Sequence, residues 1–325
     1  MSWQATQTWE SAQLKAILLT KVRLFFAQRD VVEVETPLLS QGTVTDVYID
    51  AFTSKYSFLA DTSANVECDL YLQTSPEFAM KRLLASGYGS IYQISKAFRH
   101  EAFGRHHNPE FTILEWYRIG FDHFKLMDEV EDLLMSVLGC GEIERISYQA
   151  LFVKTLGIDP LSCDVTRLIS FLEERNLLSD WLLEVPSIDI LLQFIFSEVI
   201  EPSIGKNVPC FVFDFPSSQA SLAKISPHDN RVAERFECYF KGVELANGFN
   251  ELTDAEQQLK RFKVDNGIRT ALGNKKRSID FRFINALNHG LPDCAGVALG
   301  IDRLMMIALD VDSIDQVISF PIEHA

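Results

Sequence analysis

The sequence predicts an α+β fold in which helices flank an antiparallel sheet. Two pairs of segments alternate apolar and polar residues as strands do, and a short turn-forming stretch joins each pair. Segments with helical spacing of apolar residues lie before, between and after these pairs. With 325 residues, 47% of them hydrophobic, the chain can bury a sizeable core. We therefore expect one domain over residues 1–325, with a helical insertion at about 141–205.

The first predicted helix covers residues 11–29. It has one buried stripe, formed by Leu14, Ile17, Leu18, Val22 and Phe25. Residues 31–35 then alternate as a strand until Pro37, and a proline suits the end or edge of a strand because it has no N–H to donate.

A second helix is predicted to begin at Ser75-Pro76-Glu77 and to end near Gly87. Serine at the N-cap, proline at the first helical position and an acid in the first turn are all typical of a helix start. Capping alone accounts for these residues without any function.

Two strands are predicted over residues 89–101 and 110–119, joined by the loop 102–109. Because side chains alternate along a strand, Arg99 and Glu101 share one face, and so do Phe111, Ile113, Glu115 and Tyr117. If that face forms a pocket floor, Arg99 can neutralise an α-phosphate and Phe111 can stack on adenine. Glu115 needs a cationic partner there because burying a lone carboxylate is costly, and a substrate ammonium group would supply one.

A second hairpin is predicted around the two-residue turn Lys241-Gly242. This register makes Glu237 and Glu244 diagonal neighbours on one face, with Cα atoms about 7–8 Å apart. Two carboxylates that close repel, unless a cation such as Mg²⁺ binds both of them together with substrate phosphates. Two exposed acids on an edge hairpin are the alternative interpretation.

Near the C-terminus, a strand over residues 296–299 is predicted to run into a helix over residues 301–309. Gly300 at the junction allows close approach of a ligand, and the helix N-terminus favours an anion such as phosphate. Arg303 in the first turn would face that phosphate. Residues 253–289 are predicted to form a helix, a basic loop and a helix.

Composition excludes several functional classes. No apolar run reaches the roughly 18 residues of a membrane helix, and the polar start lacks a signal-peptide pattern, so we expect a cytoplasmic protein without a membrane partner. The six cysteines include no C-x-x-C pair, which disfavours a zinc knuckle or a disulfide framework and suggests small core residues. The formal net charge is −15, which disfavours a tRNA partner unless the acidic body carries a local basic patch.

Three stretches, in order, resemble the signature motifs of class II aminoacyl-tRNA synthetases. They are the helix and strand ending at Pro37, the segment from Phe98 to Phe111, and the segment from Gly296 to Arg303. Residues 244–251 also form the string E-x-x-N-G-F-x-E, which is typical of lysyl-tRNA synthetases. The resemblance implies the class II catalytic fold and, through the first motif, a homodimer.

The resemblance also implies roles for individual residues. The residues implied to bind ATP are Arg99, His100, Glu101, His107, Asn108, Phe111, Glu244, Leu245, Gly300 and Arg303. Arg99 and Arg303 would act in catalysis, and Glu237 with Glu244 would bind Mg²⁺. The residues implied to bind a lysine-like substrate are Ser75, Pro76, Glu77, Glu115, Tyr117, Asn247, Glu251 and Ala298. For His107, a loop histidine without a role is an equal alternative.

A bacterial lysyl-tRNA synthetase has an anticodon-binding barrel before its catalytic core, whereas here the first motif begins at about residue 11. We therefore expect no anticodon-binding domain. The chain most resembles the truncated paralogue family, the elongation factor P (R)-β-lysine ligases, which activate β-lysine with ATP and attach it to a lysine ε-amino group of elongation factor P.

Two departures from lysyl-tRNA synthetases bear on the substrate. Ala298 stands where those enzymes have glycine, and its methyl group would crowd the α-amino end of ordinary lysine, which favours a shifted amino group. His100 stands where asparagine is usual, and its side chain is expected to point away from the pocket. Two alternatives stay open, a stand-alone synthetase fragment that charges tRNA with α-lysine and a catalytically silent lysine sensor. The preferred lysine isomer is also left open.

Overall fold

The computed structural model describes residues 3–57, 68–184 and 187–325. The helices of these residues are α1 (Trp9–Ala27), α2 (Glu77–Ala85), α3 (His123–Leu138), α4 (Tyr148–Leu156), α5 (Val165–Glu174), α6 (Asp180–Glu184), α7 (Ile188–Ile195), α8 (Ala255–Ala271), α9 (Phe281–Gly290) and α10 (Ile301–Leu309). The strands are β1 (Val32–Glu33), β2 (Leu39–Ser40), β3 (Thr53–Tyr56), β4 (Cys68–Leu72), β5 (Ile91–Phe98), β6 (Glu110–Ile119), β7 (Glu144–Ser147), β8 (Cys210–Pro216), β9 (Val232–Phe240), β10 (Val243–Asn250) and β11 (Cys294–Gly300). The predicted α+β class is confirmed.

The chain divides into two compact units. The first unit consists of Met1–Phe121 and Glu251–Ala325, and the second consists of Asp122–Asn250. The expectation of one domain over residues 1–325 remains a prediction. Among the described residues, no helix combines the length and the apolar character that a bilayer crossing demands.

The first unit contains the strands β1, β5, β6 and β11 in that order. β1 pairs with β5 in parallel, and the other pairs are antiparallel. The register places Glu115 of β6 between Gln93 of β5 and Ala298 of β11. Aromatic packing supports the unit, since the ring of Phe26 stacks on Tyr92 at 4.4 Å between centroids. β6 is thus a central strand whose side chains are held from both sides.

The second unit contains the strands β10, β9, β8 and β7 in that order, antiparallel except for the parallel pair of β7 and β8. Its core packs α4, α5 and α7 against these strands through residues such as Phe152, Leu168 and Leu192. α7 continues into a π-helical turn over Phe196–Ile200. The predicted helical insertion at about 141–205 is therefore mostly helical, but it also supplies the strand β7.

Several predicted details of the elements are wrong. In α1, Leu14 and Ile17 are exposed, and the buried stripe consists of Leu18, Val22, Phe25 and Phe26. The prediction failed because helical spacing alone does not distinguish apolar side chains that face the core from apolar side chains that face outward. The predicted strand over residues 31–35 shrinks to the two residues of β1, since only these pair with β5.

The start of α2 and the end of β5 also differ from the predictions. The N-cap of α2 is Pro76, not Ser75, although Ser75 Oγ still accepts a hydrogen bond from the Glu77 N–H at 3.1 Å. β5 ends at Phe98, so strand alternation does not set the faces of Arg99 and Glu101. Of the six cysteines, all free, only Cys210, Cys238 and Cys294 are buried. The other three are partly exposed, so only half are the core residues expected.

Candidate active site

A buried group in the first unit joins four charged residues and a tyrosine, and we call it the carboxylate cluster: Glu77, Lys81, Glu115, Tyr117 and Glu251. Lys81 Nζ lies 2.7 Å from Glu77 Oε1, one helical turn earlier on α2, and 2.5 Å from Glu251 Oε2. The side chains of Lys81 and Glu251 are each only 1% exposed. The N–H of Glu251 donates to the Cys294 carbonyl of β11 at 3.0 Å, which fixes Glu251 beside the strand.

Glu115 is held by two hydroxyl donors. The Tyr117 hydroxyl donates to Glu115 Oε1 at 2.7 Å, and the Ser75 hydroxyl donates to Oε2 at 2.6 Å. Glu115 and Tyr117 are two residues apart on β6 and therefore share a face, as predicted. These bonds orient the carboxylate without neutralising it, so the site keeps acceptor capacity for a cation.

The pKa values of the cluster reflect its burial. Burial raises the pKa of Glu251 to about 8 against the opposing effect of Lys81. Burial and the nearby Glu77 raise the pKa of Glu115 to about 7. Burial alone would lower the pKa of Lys81, but Glu251 and Glu77 outweigh it and raise that pKa, so Lys81 is a cation at neutral pH. The cluster therefore brings three acidic side chains together around the ammonium group of Lys81.

Sequence reasoning missed Lys81 in this cluster and Gly296 beside it. It expected the cation near Glu115 to come only from a substrate, whereas Lys81 supplies one from the protein. The i,i+4 spacing of Glu77 and Lys81 was the available signal. It also gave no role to Gly296, where an added Cβ would overlap the Tyr117 ring and come within 2.5 Å of Glu251 Oε1. Only glycine fits at that position of β11.

A second group in the first unit, the arginine cluster, consists of Arg99, Glu101, His107, Phe111 and Arg303. Arg303 Nη2 lies 2.8 Å from His107 Nε2, and the guanidinium of Arg99 lies 5.1 Å from the ring centroid of Phe111. Desolvation and the charge of Arg303 lower the pKa of His107, with a further contribution from Arg99. Both arginines therefore lie close enough to His107 to affect its ionisation, and the binding of an anion by them remains a prediction.

The third motif has the predicted strand-to-helix geometry. β11 ends at Gly300, which is the N-cap of α10, and Arg303 lies in the first turn of that helix. On β6, Phe111 and Glu115 are four residues apart and thus roughly 13 Å apart along the strand. The arginine cluster and the carboxylate cluster thus contact successive stretches of one strand.

Two predicted ATP-binding residues make other contacts. Asn108 is buried, and its amide donates to the Glu110 carbonyl at 2.5 Å and accepts from the Ile322 N–H at 3.0 Å. The ring of His100 packs edge-on against Phe52, with centroids 5.0 Å apart. The roles assigned to both residues at ATP remain predictions.

The second unit contains a third group, the hairpin cluster, formed by Arg235, Glu237, Tyr239, Glu244 and Asn247. Glu244 pairs with Tyr239 across the hairpin as predicted, and the backbone at Lys241 and Gly242 has the positive φ of a two-residue turn. A bulge between Glu244 and Ala246 then places Asn247 opposite Glu237. Leu245, in that bulge, is buried.

The acceptor oxygens of Glu237 are engaged within the hairpin cluster. Arg235 and Tyr239 donate to them, and Asn247 Nδ2 donates to Oε1 at 3.1 Å. Burial raises the pKa of Glu237, while Arg235 opposes this effect. Sequence reasoning missed Arg235, although its position two residues before Glu237 on one strand face signals the pairing. No group of three or more His, Cys, Asp or Glu side chains suited to a metal occurs within the described ranges, and the assignment of Mg²⁺ to Glu237 and Glu244 remains a prediction.

The sequence matches a family model over almost its whole length. The model of the tRNA synthetases class II (D, K and N) family matches residues 1–324, and the chain belongs to that family. It is 53% identical over 322 residues to the elongation factor P--(R)-beta-lysine ligase of Vibrio parahaemolyticus, with 98% of each chain covered. The proteins of the same name from Vibrio cholerae and Yersinia enterocolitica are 53% and 51% identical, and the alignments cover 99% and 100% of this chain and 98% of each relative.

Proposed function

We propose that this protein is an ATP-dependent ligase that activates (R)-β-lysine and transfers it to the ε-amino group of one lysine on elongation factor P. The observation that carries the proposal is the carboxylate cluster, in which the buried carboxyl groups of Glu115 and Glu251 lie close to that of Glu77 and together suit the ammonium groups of a diamino acid. The name shared by its relatives supports the substrate and the acceptor. That name does not favour tRNA charging or lysine sensing.

The first step forms an aminoacyl-adenylate. An oxygen of the substrate carboxylate, already ionised at neutral pH, attacks the α-phosphorus of ATP, and the bond to the departing pyrophosphate breaks. No catalytic base is needed, so the protein acts by positioning and by charge stabilisation. Arg99 would neutralise the α-phosphate and Arg303 the γ-phosphate, while Phe111 stacks on adenine. Glu101, His107 and Gly300 would add further contacts to the nucleotide in the first unit.

The hairpin cluster would contribute the metal-binding carboxylate. Mg²⁺ is usually held by one or two carboxylates together with substrate phosphates, and the family resemblance assigns Glu244 to this role. Bound there, Mg²⁺ would neutralise charge on the phosphates of ATP. Glu237, engaged by Arg235, would instead orient the neighbouring side chains, including Asn247.

The second step makes an amide bond. The neutral ε-amine of the elongation factor P lysine attacks the carbonyl carbon of the adenylate, AMP leaves, and the amine nitrogen loses a proton. The side of the pocket near Ala298 sets which amino acid is held, because its methyl group disfavours the α-amino group of ordinary lysine. Ser75 and Tyr117 keep Glu115 oriented during binding.

The test is intact-mass measurement of purified elongation factor P after incubation with this protein, ATP and each lysine isomer in turn. We expect one added lysyl group per acceptor with (R)-β-lysine and less with the other isomers. Labelled tRNA under the same conditions should stay uncharged. Charging of tRNA without a mass shift on elongation factor P would contradict the proposal.

The control variant is Glu251→Ala, which removes one wall of the carboxylate cluster. It should abolish the mass shift while leaving the protein folded. An unchanged mass shift would show that the substrate binds elsewhere.

A further inference from the structure

The carboxylate cluster has an unbalanced charge. The groups that interact across it are Glu77 and Lys81 from α2, Glu115 and Tyr117 from β6, and Glu251 after β10. With all three carboxyl groups ionised, their charge is −3. Lys81 is protonated and contributes +1, and Tyr117 is neutral, so the net charge of the cluster is −2. A buried pocket with that charge is costly unless cations or protons enter it.

The place of Lys81 within the cluster is specific. Its ammonium lies between the carboxylates of Glu77 and Glu251, and it also lies 6.0 Å from the ring centroid of Tyr117 and 5.8 Å from that of Phe283. Its only carboxylate contacts among the described residues are these two acids, both of which are assigned to the substrate. The residue thus sets how many further positive charges the pocket can accept.

We propose that Lys81 sets the charge of the substrate pocket to match an amino acid with two ammonium groups, and that binding of this substrate expels protons held by the empty pocket. The inference rests on the proposed function and adds a positioning residue to it. The two ammonium groups of β-lysine offset the −2 of the cluster with every protein carboxylate ionised, and the carboxylate of β-lysine, which reacts with ATP, is counted apart from this sum. A monoamino acid would leave it one charge short.

The pKa values of the carboxyl groups agree with this charge balance. Burial raises the pKa of Glu115 to about 7 and that of Glu251 to about 8, so the empty pocket holds protons at neutral pH. An incoming ammonium group favours the ionised carboxylates and lowers both pKa values. Substrate binding should therefore strengthen as the pH rises from about 6 to 8.5, below the pKa of about 10.4 of a free lysine ammonium.

The first test uses the wild-type protein and counts protons directly. Isothermal titration of β-lysine at pH 7.5, in two buffers with different ionisation enthalpies, gives the number of protons released on binding. We expect about one proton per β-lysine, since one or both raised carboxyl groups are partly protonated at that pH. Binding without proton release would overturn this inference alone. Failure to bind any lysine isomer would overturn it together with the proposed function.

The second test compares Lys81→Met with Lys81→Arg and with Arg82→Met, which removes an exposed cation from the same helix. Lys81→Met makes the pocket more negative, so it takes up more protons and the substrate must expel them. We expect its KM for β-lysine at pH 7 to rise about tenfold, while its KM for ATP stays within about twofold of wild type. In the pH profile of kcat/KM, the acidic limb should move to a higher pH by about one unit.

Lys81→Arg keeps the charge and should restore the wild-type position of the acidic limb, and Arg82→Met should not move it. A folded Lys81→Met protein with the wild-type limb would overturn the inference. If Lys81→Met does not fold, the decision falls on the proton count and on Lys81→Arg. In that case the inference would be overturned if Lys81→Arg moved the acidic limb of kcat/KM by about one pH unit, as expected for Lys81→Met.

Discussion

At the scale of single residues, Gly296 gives the most direct prediction. A Cβ at this position would overlap the Tyr117 ring and approach the Glu251 carboxylate, and neither can move without disturbing the carboxylate cluster. Overpacking of this kind costs about 1–3 kcal/mol. We expect Gly296→Ala to lower kcat/KM in β-lysine-dependent pyrophosphate exchange by about ten- to a hundredfold.

The matched control for Gly296→Ala is Gly89→Ala, because an added Cβ at Gly89 meets nothing within 4 Å. Its exchange rate should equal that of the wild type. Full activity of Gly296→Ala would show that the space beside Tyr117 is not used by the substrate.

Ala298 gives a second prediction at this scale. It lies opposite Glu115 on the neighbouring strand, so its methyl group borders the pocket that Glu115 lines. One methyl group discriminates between substrates by about 1–3 kcal/mol. Ala298→Gly should therefore raise the kcat/KM for α-lysine relative to β-lysine by about tenfold or more. Competition between the two isomers in the exchange assay measures the ratio, and an unchanged ratio would place the selecting group elsewhere.

The candidate site could be predicted from the sequence only as far as local patterns reach. That Glu115 and Tyr117 share a face followed from strand alternation, and the contact between them agrees. The pairing of Lys81 with Glu251 joins positions 170 residues apart, and no local pattern shows it. For Glu237, repulsion from Glu244 suggested a metal, yet Arg235 on the same strand already supplies a counter-charge.

At the scale of elements, the helix α3 makes the stability of the second unit depend on pH. Its first residue, His123, is buried, and neither ring nitrogen makes a hydrogen bond among the described residues. Burial lowers the pKa of His123 to about 4, from about 6.5 in the unfolded chain. The unfolded state thus binds more protons between these values, and stability is lost as the pH falls from about 6.5 to 4.

The variant His123→Phe should remove this loss. Phenylalanine keeps the packing against Phe124, whose ring centroid lies 4.1 Å from that of His123. Guanidinium unfolding at pH 7 and pH 5 should show a smaller drop in the free energy of unfolding for His123→Phe than for wild type, by about 1–2 kcal/mol. His289→Gln, at an exposed histidine of α9, should behave as wild type. An equal drop in His123→Phe would mean that His123 is protonated in the folded protein.

The elements were predicted well where the two paired strands are neighbours in the sequence and a recognisable turn joins them. β6 has the predicted bounds, and the hairpin of β9 and β10 has the predicted register at its turn. The bulge after Glu244 was not predicted, because it depends on strand packing rather than on the turn. The short β1 and the start of β7 likewise depend on partner strands that lie far away in the sequence.

At the scale of the whole molecule, the error in the α1 stripe is informative. Leu14, Ile17 and Leu24 lie on one face of this helix and are 46%, 54% and 56% exposed. Val32 and Leu39, next to Pro37, are also exposed. Apolar side chains grouped in this way usually mark an interaction site rather than free surface. The family resemblance assigns this segment to a homodimer, and we propose that these residues form its interface.

The double variant Ile17→Lys with Leu24→Lys should weaken this dimer, because each charge would lose its hydration in an apolar interface. We expect light scattering after size exclusion to give the dimer mass for wild type and the monomer mass for the variant. Ala16→Lys, which adds a charge at an exposed position of α1 about 100° around the helix from Ile17, should stay dimeric. If the double variant kept the dimer mass, α1 would not form the interface. If the wild type ran as a monomer, its exposed leucine and isoleucine side chains would instead be free to contact another protein.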